Sequence, residues 1–157
     1  MDAHWDALFD EVYQKKIEPS DLVVRYDTLR KRAVQARPIL IQLAEEGQPG
    51  DEELVTRERI TTTYGQLAEE IGSDAAYMSK VLGAIDLVGG ELGEPPLSPL
   101  VENGTVGPGR GYFNWSFHGE DRIRNVSDKG SLTPEMKRTW RRHLRATYEH
   151  DDWYSPE

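Results

Sequence analysis

The segment from Tyr64 to Leu82 constrains the fold more than any other part of the chain. Apolar residues recur there at helical spacing on either side of one glycine. Leu67 and Ile71 precede Gly72, and Met78, Val81 and Leu82 follow it. Two helices that cross steeply over a tight turn need a small residue at the crossing, which Ala68 supplies. They also need a turn residue that accepts a left-handed φ, and Gly72 is one. The expectation is a helix-turn-helix with helices at about 64–71 and 74–86. The second helix should present Tyr77, Ser79 and Lys80 on its exposed face. In a DNA-binding version those three enter the major groove or abut the backbone. The plain alternative is a helical pair with no DNA role. Glu69, Glu70, Asp74 and Asp86 near Lys80 favour that alternative.

The flanks add helices and a little strand. Trp5, Leu8, Phe9 and Val12 predict an amphipathic helix over 2–16. Ser20 reads as the N-cap of a second helix running to about Arg37, with Leu22, Val23, Tyr26, Leu29 and Ala33 on one face. Pro38 should end or kink it. Gln48-Pro49-Gly50-Asp51 and the acidic run 51–53 suggest a boundary, giving a helical arm over 1–50 and a main unit over 51–157. Beyond the helix pair, Gly89-Gly90 and Glu94-Pro95-Pro96 read as loops, and 97–101 as a short strand. Asn103-Gly104 reads as a hairpin turn leading into the glycines at 107, 109 and 111. Thr133-Pro134 opens a last helix as N-cap and first residue. The expected class is α+β: a winged helix-turn-helix core with an N-terminal helical arm and a closing C-terminal helix.

Charge argues in two directions. The 28 acidic and 19 basic residues give a net charge of −9, unfavourable for a polyanionic partner. Yet the bases cluster. In the last helix, Met136, Trp140, Leu144 and Tyr148 form an apolar stripe, and Arg138, Arg141, Arg142 and Arg145 fill much of the rest. With Arg122, Arg124 and Lys129 this region can track a phosphate backbone, or can pair with acids elsewhere in the chain. Arg25, Arg30, Lys31, Arg32 and Arg37 form a second cluster.

Cysteine is absent, which removes disulfides, thiolate metal sites and thiol nucleophiles. His118 with Glu120 and Asp121, or His150 with Asp151 and Asp152, are weak metal candidates, better read as solvated polar segments. The glycine run 104–111 lacks the Lys-Ser/Thr and the helix of a phosphate-binding loop, so a turn or wing is the reading, with Arg110 at its tip. No metal and no cofactor is expected. No run approaches the roughly 20 apolar residues of a membrane span. Asp2, Asp6 and Asp10 interrupt any apolar leader, so a cytoplasmic, membrane-free protein is expected. The apolar stripe of the arm must bury within the chain or against a protein partner or second copy.

Four segments occur in one order: Thr63-Tyr64-Gly65-Gln66-Leu67-Ala68, Met78-Ser79-Lys80-Val81-Leu82-Gly83, Pro96-Leu97-Ser98-Pro99-Leu100-Val101, and Gly104 through Tyr112. Over residues 55–113 this order resembles the C-terminal DNA-binding domain of the O6-alkylguanine-DNA alkyltransferases and their enzymatically silent alkyltransferase-like relatives. The resemblance implies a helix-turn-helix with a glycine-rich wing. It also places Leu97 where the family has its reactive cysteine, and Ser98 where it has its proton-relay histidine. The intercalating arginine falls near Ala76, with Tyr77 the nearest substitute. The resemblance therefore implies a non-enzymatic protein of double-stranded DNA that senses modified bases, and a similar Tyr-Gly-x-Leu-Ala…Pro-Pro-Leu…Gly-x-Gly-Tyr arrangement in small prokaryotic proteins adds a defence or mobile-element system as an alternative role. The expected contacts are Tyr77, Ser79, Lys80, Arg110, Arg138, Arg141, Arg142 and Arg145. A protein-interaction module that has lost DNA binding is the competing reading.

Overall fold

The computed structural model describes residues 3–17, 25–47, 60–104, 107–123 and 131–154. Five α-helices dominate these residues: α1 (Ala3–Val12), α2 (Tyr26–Glu46), α3 (Tyr64–Ile71), α4 (Met78–Glu91) and α5 (Pro134–Glu149). Two two-residue strands, β1 (Thr62–Thr63) and β2 (Val101–Glu102), pair in parallel, with Thr62 opposite Val101 and Thr63 opposite Glu102. The coarse class, mostly helix with a small sheet, agrees with the sequence.

The helix α4 is the axis of the fold. Every residue from Val81 to Gly89 on it is buried, because α1 and α2 pack along it while α3 and the turn at 98–100 close the remaining sides. Its all-round apolar sequence fits a helix surrounded by others. The expected break at Gly89-Gly90 does not occur, since both glycines lie inside α4.

The helix α1 buries Trp5, Phe9 and Val12, with Phe9 edge-on to Tyr26 of α2 at 5.5 Å. The arm's stripe is thus covered within the chain. A π-type turn, Tyr13–Ile17, follows and buries Ile17. Ser20, Leu22 and Val23 lie outside the described residues, as do 48–59, where the arm boundary was placed.

Pro38 neither ends nor breaks α2, which runs on to Glu46. Pro38 is exposed, and so is Val34, whose carbonyl loses its amide donor. Water can satisfy that carbonyl. Burial of Leu29, Ala33, Ala36, Leu40 and Ala44 along the other face outweighs the cost of about 3 kcal/mol for an interior proline.

The helix α5 behaves as its sequence predicts. The Thr133 hydroxyl accepts from the Met136 amide, Pro134 follows, and Met136, Trp140, Leu144 and Tyr148 are all buried. Trp140 donates Nε1–H to the Pro99 carbonyl at 3.0 Å. The Tyr148 ring packs against the bare Gly47 backbone, where an added Cβ would come within 2.0 Å of it.

The segment expected to form a hairpin and wing folds otherwise. β2 is preceded by a 3₁₀ turn, Ser98–Leu100, rather than by more strand. Asn103 and Gly107 close a turn by an amide-to-carbonyl bond of 2.9 Å, and Arg110–Asn114 is a second 3₁₀ helix. The described residues of 103–114 contain no antiparallel pair. Local hydrogen bonds explain this: Glu102 is buried and uses its carboxylate on the Gly107 amide and the Thr61 hydroxyl, which folds the loop back on β1.

Candidate functional site

The helix-turn-helix signals act locally as expected. The Thr63 hydroxyl accepts from the Gln66 amide and starts α3. Gly72 ends it at φ 68°, ψ 39°, a left-handed cap that needs no Cβ. A short 3₁₀ turn, Ala75–Tyr77, then leads into α4. Because residues 81–89 of α4 are buried, the helix reaches solvent only at its two ends, this turn with the first residues and Gly90-Glu91.

At the first of these ends lies a cavity of about 520 Å³. Ala75, Ala76, Ser79 and Leu82 line one side, and Tyr64, at the start of α3, another. Asn103 and Arg110 sit on the loop side, while Tyr112 and Trp115 bring aromatic rings. Ser98 completes the lining from the turn before β2.

Several wall residues are held by specific partners. The Tyr64 hydroxyl accepts from the Gly109 amide at 3.1 Å, tying α3 to the loop, and burial raises its pKa. Trp115 lies over α4 at Gly83, where a Cβ would come within 2.3 Å of the indole. The ring can occupy that place only because residue 83 is glycine. Asp86 is fully buried on the face of α4 that carries Ser79 and Leu82, at i, i+3 and i+7. It accepts from the Leu97 amide at 2.7 Å, the Ser98 amide at 3.2 Å, and the Ser98 hydroxyl. Desolvation raises its pKa to about 7, against the lowering effect of those three donors.

A relay holds Tyr112. Its hydroxyl lies 2.7 Å from His143 Nδ1, and His143 Nε2 lies 2.9 Å from Asp121. The bond from His143 holds the Asp121 carboxyl below its usual range against a smaller desolvation, so Asp121 is an ionised acceptor. Nε2 therefore carries the proton, Nδ1 accepts, and the Tyr112 hydroxyl donates. His118 stacks on His143 at 5.0 Å and reaches the Tyr112 carbonyl at 2.6 Å. A carbonyl only accepts, so that imidazole nitrogen is also protonated. Burial lowers His143 and takes His118 down to about 4, so both rings are neutral at pH 7. The phenol of Tyr112 is pushed well above its ordinary range by burial, which makes it a hydrogen-bond donor and not a nucleophile.

The expected contact residues do not all converge. Ser79 is exposed in the cavity wall and Arg110 lines it. Tyr77 is not on the exposed face: it is half-buried, its hydroxyl is enclosed with no hydrogen-bond partner among the described residues, and Tyr13 and Arg32 lie nearby. The turn before α4 rotates Tyr77 toward the arm, where its ring finds apolar neighbours. Lys80 is half-buried with its ammonium 5.7 Å from the Tyr77 ring centre.

On α5, Arg142 pairs with Asp121 at 3.3 Å and Arg145 with Glu149 at 2.8 Å. Arg141 donates to the Lys137 carbonyl, and Arg138 lines a second cavity of about 280 Å³ with Arg142, Glu135 and Asp121. In the second basic cluster, Arg30 pairs with Asp6 and Arg32 caps the Ile71 carbonyl. Arg37 is buried on Glu94 and the Tyr154 carbonyl. Arg32 and Arg37 tie the arm to the rest of the chain, and Arg30 ties α2 to α1 within the arm.

Asp86, Tyr112, Trp115 and Asn103 were not among the expected site residues. Asp86 left one signal, a lone acid inside the apolar run Val81–Val88. Tyr112 and Trp115 lie in the aromatic-rich stretch Tyr112-Phe113-Asn114-Trp115, whose composition alone assigns them no role. Among the described residues no group of three His, Asp or Glu is placed to hold a metal ion, and no helix is long and apolar enough to cross a membrane. Comparisons with protein-family models, with characterised proteins and with solved structures give no match to this chain.

Proposed function

We propose that this chain is a non-enzymatic DNA-binding protein that holds an extruded base in the aromatic cavity at the head of α4. The observation that carries the reading is the position of the cavity. It opens where a helix-turn-helix exposes its second helix, and three aromatic residues, Tyr64, Tyr112 and Trp115, line it. A base taken out of a duplex is read by stacking and by hydrogen bonds to its edge. Ser79, Ser98, Asn103 and Arg110 offer such bonds, and about 520 Å³ falls in the range of small-molecule sites. The same wall supports the non-enzymatic part of the reading. Leu97 is buried behind it, and the Ser98 hydroxyl is committed to Asp86.

Backbone affinity has to come from Arg110 and from Arg138, Arg141, Arg142 and Arg145, since phosphate contacts set affinity and base contacts set preference. Anisotropy titrations of a labelled duplex at two salt concentrations test this. Affinity should fall steeply with salt, and Arg138→Ala, Arg141→Ala and Arg142→Ala together should weaken binding to all sequences and flatten that slope. No binding at low salt refutes the reading.

The competing reading, a protein-interaction module, draws support from the pairing of Arg142 and Arg145 with acids and from the net charge of −9. Against it, Val34 and Ile60 are the only exposed large apolar side chains among the described residues, which leaves no apolar docking patch there.

A further inference from the structure

The cavity backs onto a buried carboxylate. Asp86 lies one side chain behind the wall, linked to it through Ser98, and its partners are two amides and one hydroxyl. No basic side chain among the described residues forms an ion pair with it. The groups that feel its charge, Tyr64 and Tyr112, are neutral phenols whose rings line the same cavity. Arg110 is the one cation in the lining, and its Nη1 donates to the Ser131 carbonyl at 2.6 Å. Since the Ser98 hydroxyl gives its proton to Asp86, only lone pairs remain on it for a ligand.

We infer that this cavity selects a cationic heteroaromatic ring over its neutral isostere, with the aromatic lining of Tyr64, Tyr112 and Trp115 and the buried charge of Asp86 both favouring the positive ring. Aromatic walls attract cations through their quadrupoles, and the effect grows when water is excluded. A buried anion with no counter-charge among the described residues adds to the attraction. In DNA, rings of this kind are N-alkylated bases, so the inference deepens the proposed function and rests on it. Ionisation of Asp86 near pH 7 fixes the pH dependence. A bound cation favours the ionised carboxylate, so cation affinity should rise as pH increases through 7, while a neutral ligand gains nothing.

The test uses the full chain and calorimetric titration with N-methylquinolinium and with quinoline at pH 6 and pH 8. The expected result is at least a tenfold preference for the cation at pH 8, shrinking at pH 6. Asp86→Asn, which keeps the side-chain shape, should abolish the pH dependence. Trp115→Leu should reduce the preference without abolishing its pH dependence, which keeps the test valid if the Asp86 variant misfolds. Equal affinities for the two ligands at both pH values overturn the inference, as does an unchanged preference in folded Asp86→Asn. A parallel titration compares duplexes with and without one N7-methylguanine. Binding of both duplexes with no discrimination, together with equal affinities for the free rings, sinks the inference and spares the DNA reading. Discrimination between free rings with no duplex binding spares the inference and sinks the DNA reading.

Discussion

Gly83→Ala should destabilise the protein, although alanine is the better helix former, and the sign should reverse once Trp115 is removed. Exchanging an interior helical glycine for alanine gains about 1 kcal/mol. At Gly83 the new Cβ would lie 2.3 Å from the indole, and the contacting atoms are its far end. The ring is half-buried on the cavity rim, so it can swing away rather than strain the core. Leaving its place exposes roughly half of the 150–250 Å² an aromatic side chain buries, about 100 Å². At about 25 cal/mol per Å² that costs about 2.5 kcal/mol. The net loss is about 1.5 kcal/mol, or a fall in Tm of about 3–6 °C for a chain of this size. Thermal unfolding followed by circular dichroism measures the loss, and a red shift of tryptophan emission reports the displaced indole. In a Trp115→Ala background no ring is present to clash, so the same change should stabilise by about 1 kcal/mol. Gly83→Ala stabilising in both backgrounds, or destabilising equally in both, would falsify the packing of Trp115 over α4.

The arm should unfold together with the rest. Phe9→Ala removes a fully buried ring and should cost about 3–5 kcal/mol in one cooperative transition, read by denaturant titration; a separate early transition would show the arm to be independent. Acid should destabilise the protein through His118. Its folded pKa, about 4, lies below the unfolded value of about 6.5, so the unfolded chain binds the proton first. The His118 contribution is then fully present above pH 6.5 and falls through the window down to about 4, by about 3 kcal/mol at its foot, while Asp86, raised to about 7 in the fold, contributes the opposite slope over the same window. His118→Gln should remove the His118 contribution from the stability–pH curve, and an unchanged curve would place His118 in solvent. Incubation with duplex DNA carrying O6-methylguanine should leave the protein mass unchanged, because Leu97 has no nucleophilic atom; a stoichiometric methyl adduct in mass spectrometry would contradict this.

What the sequence made legible was periodic or local. The α5 stripe and its Thr133-Pro134 start, the α3–turn–α4 unit with Gly72 as cap, and the arm's apolar face all follow from spacing and cap chemistry, and all are found. Errors arose where distant packing overrode a local rule. Pro38 was read as a break, but its exposed position inside a helix with a buried opposite face makes it tolerable. Gly89-Gly90 was read as a loop, yet both continue α4, whose apolar residues up to Val88 are buried against its neighbours, and the helix ends only after Glu91. The loop after β2 was read as a wing from Asn103-Gly104. Buried Glu102, which bonds Gly107 and Thr61, was a charged residue with no visible partner until the fold supplied one.

The candidate site was the least legible part because its members meet only through side-chain hydrogen bonds across long stretches of chain. Asp86 and Ser98 are 12 residues apart, Tyr112 and His143 are 31 apart, and Tyr64 and Gly109 are 45 apart. No periodicity links such pairs. The exposed helix face, which spacing does reveal, misled for the same reason. Assigning Tyr77 to that face assumed a regular α-helix from Asp74, whereas the 3₁₀ turn at Ala75–Tyr77 rotates the side chains before α4 begins. That rotation turns Tyr77 toward Arg32 and the arm, and leaves Ala75, Ala76 and Ser79 at the cavity. Small residues at that edge keep the entrance open, so the arm that captures Tyr77 also shapes the site.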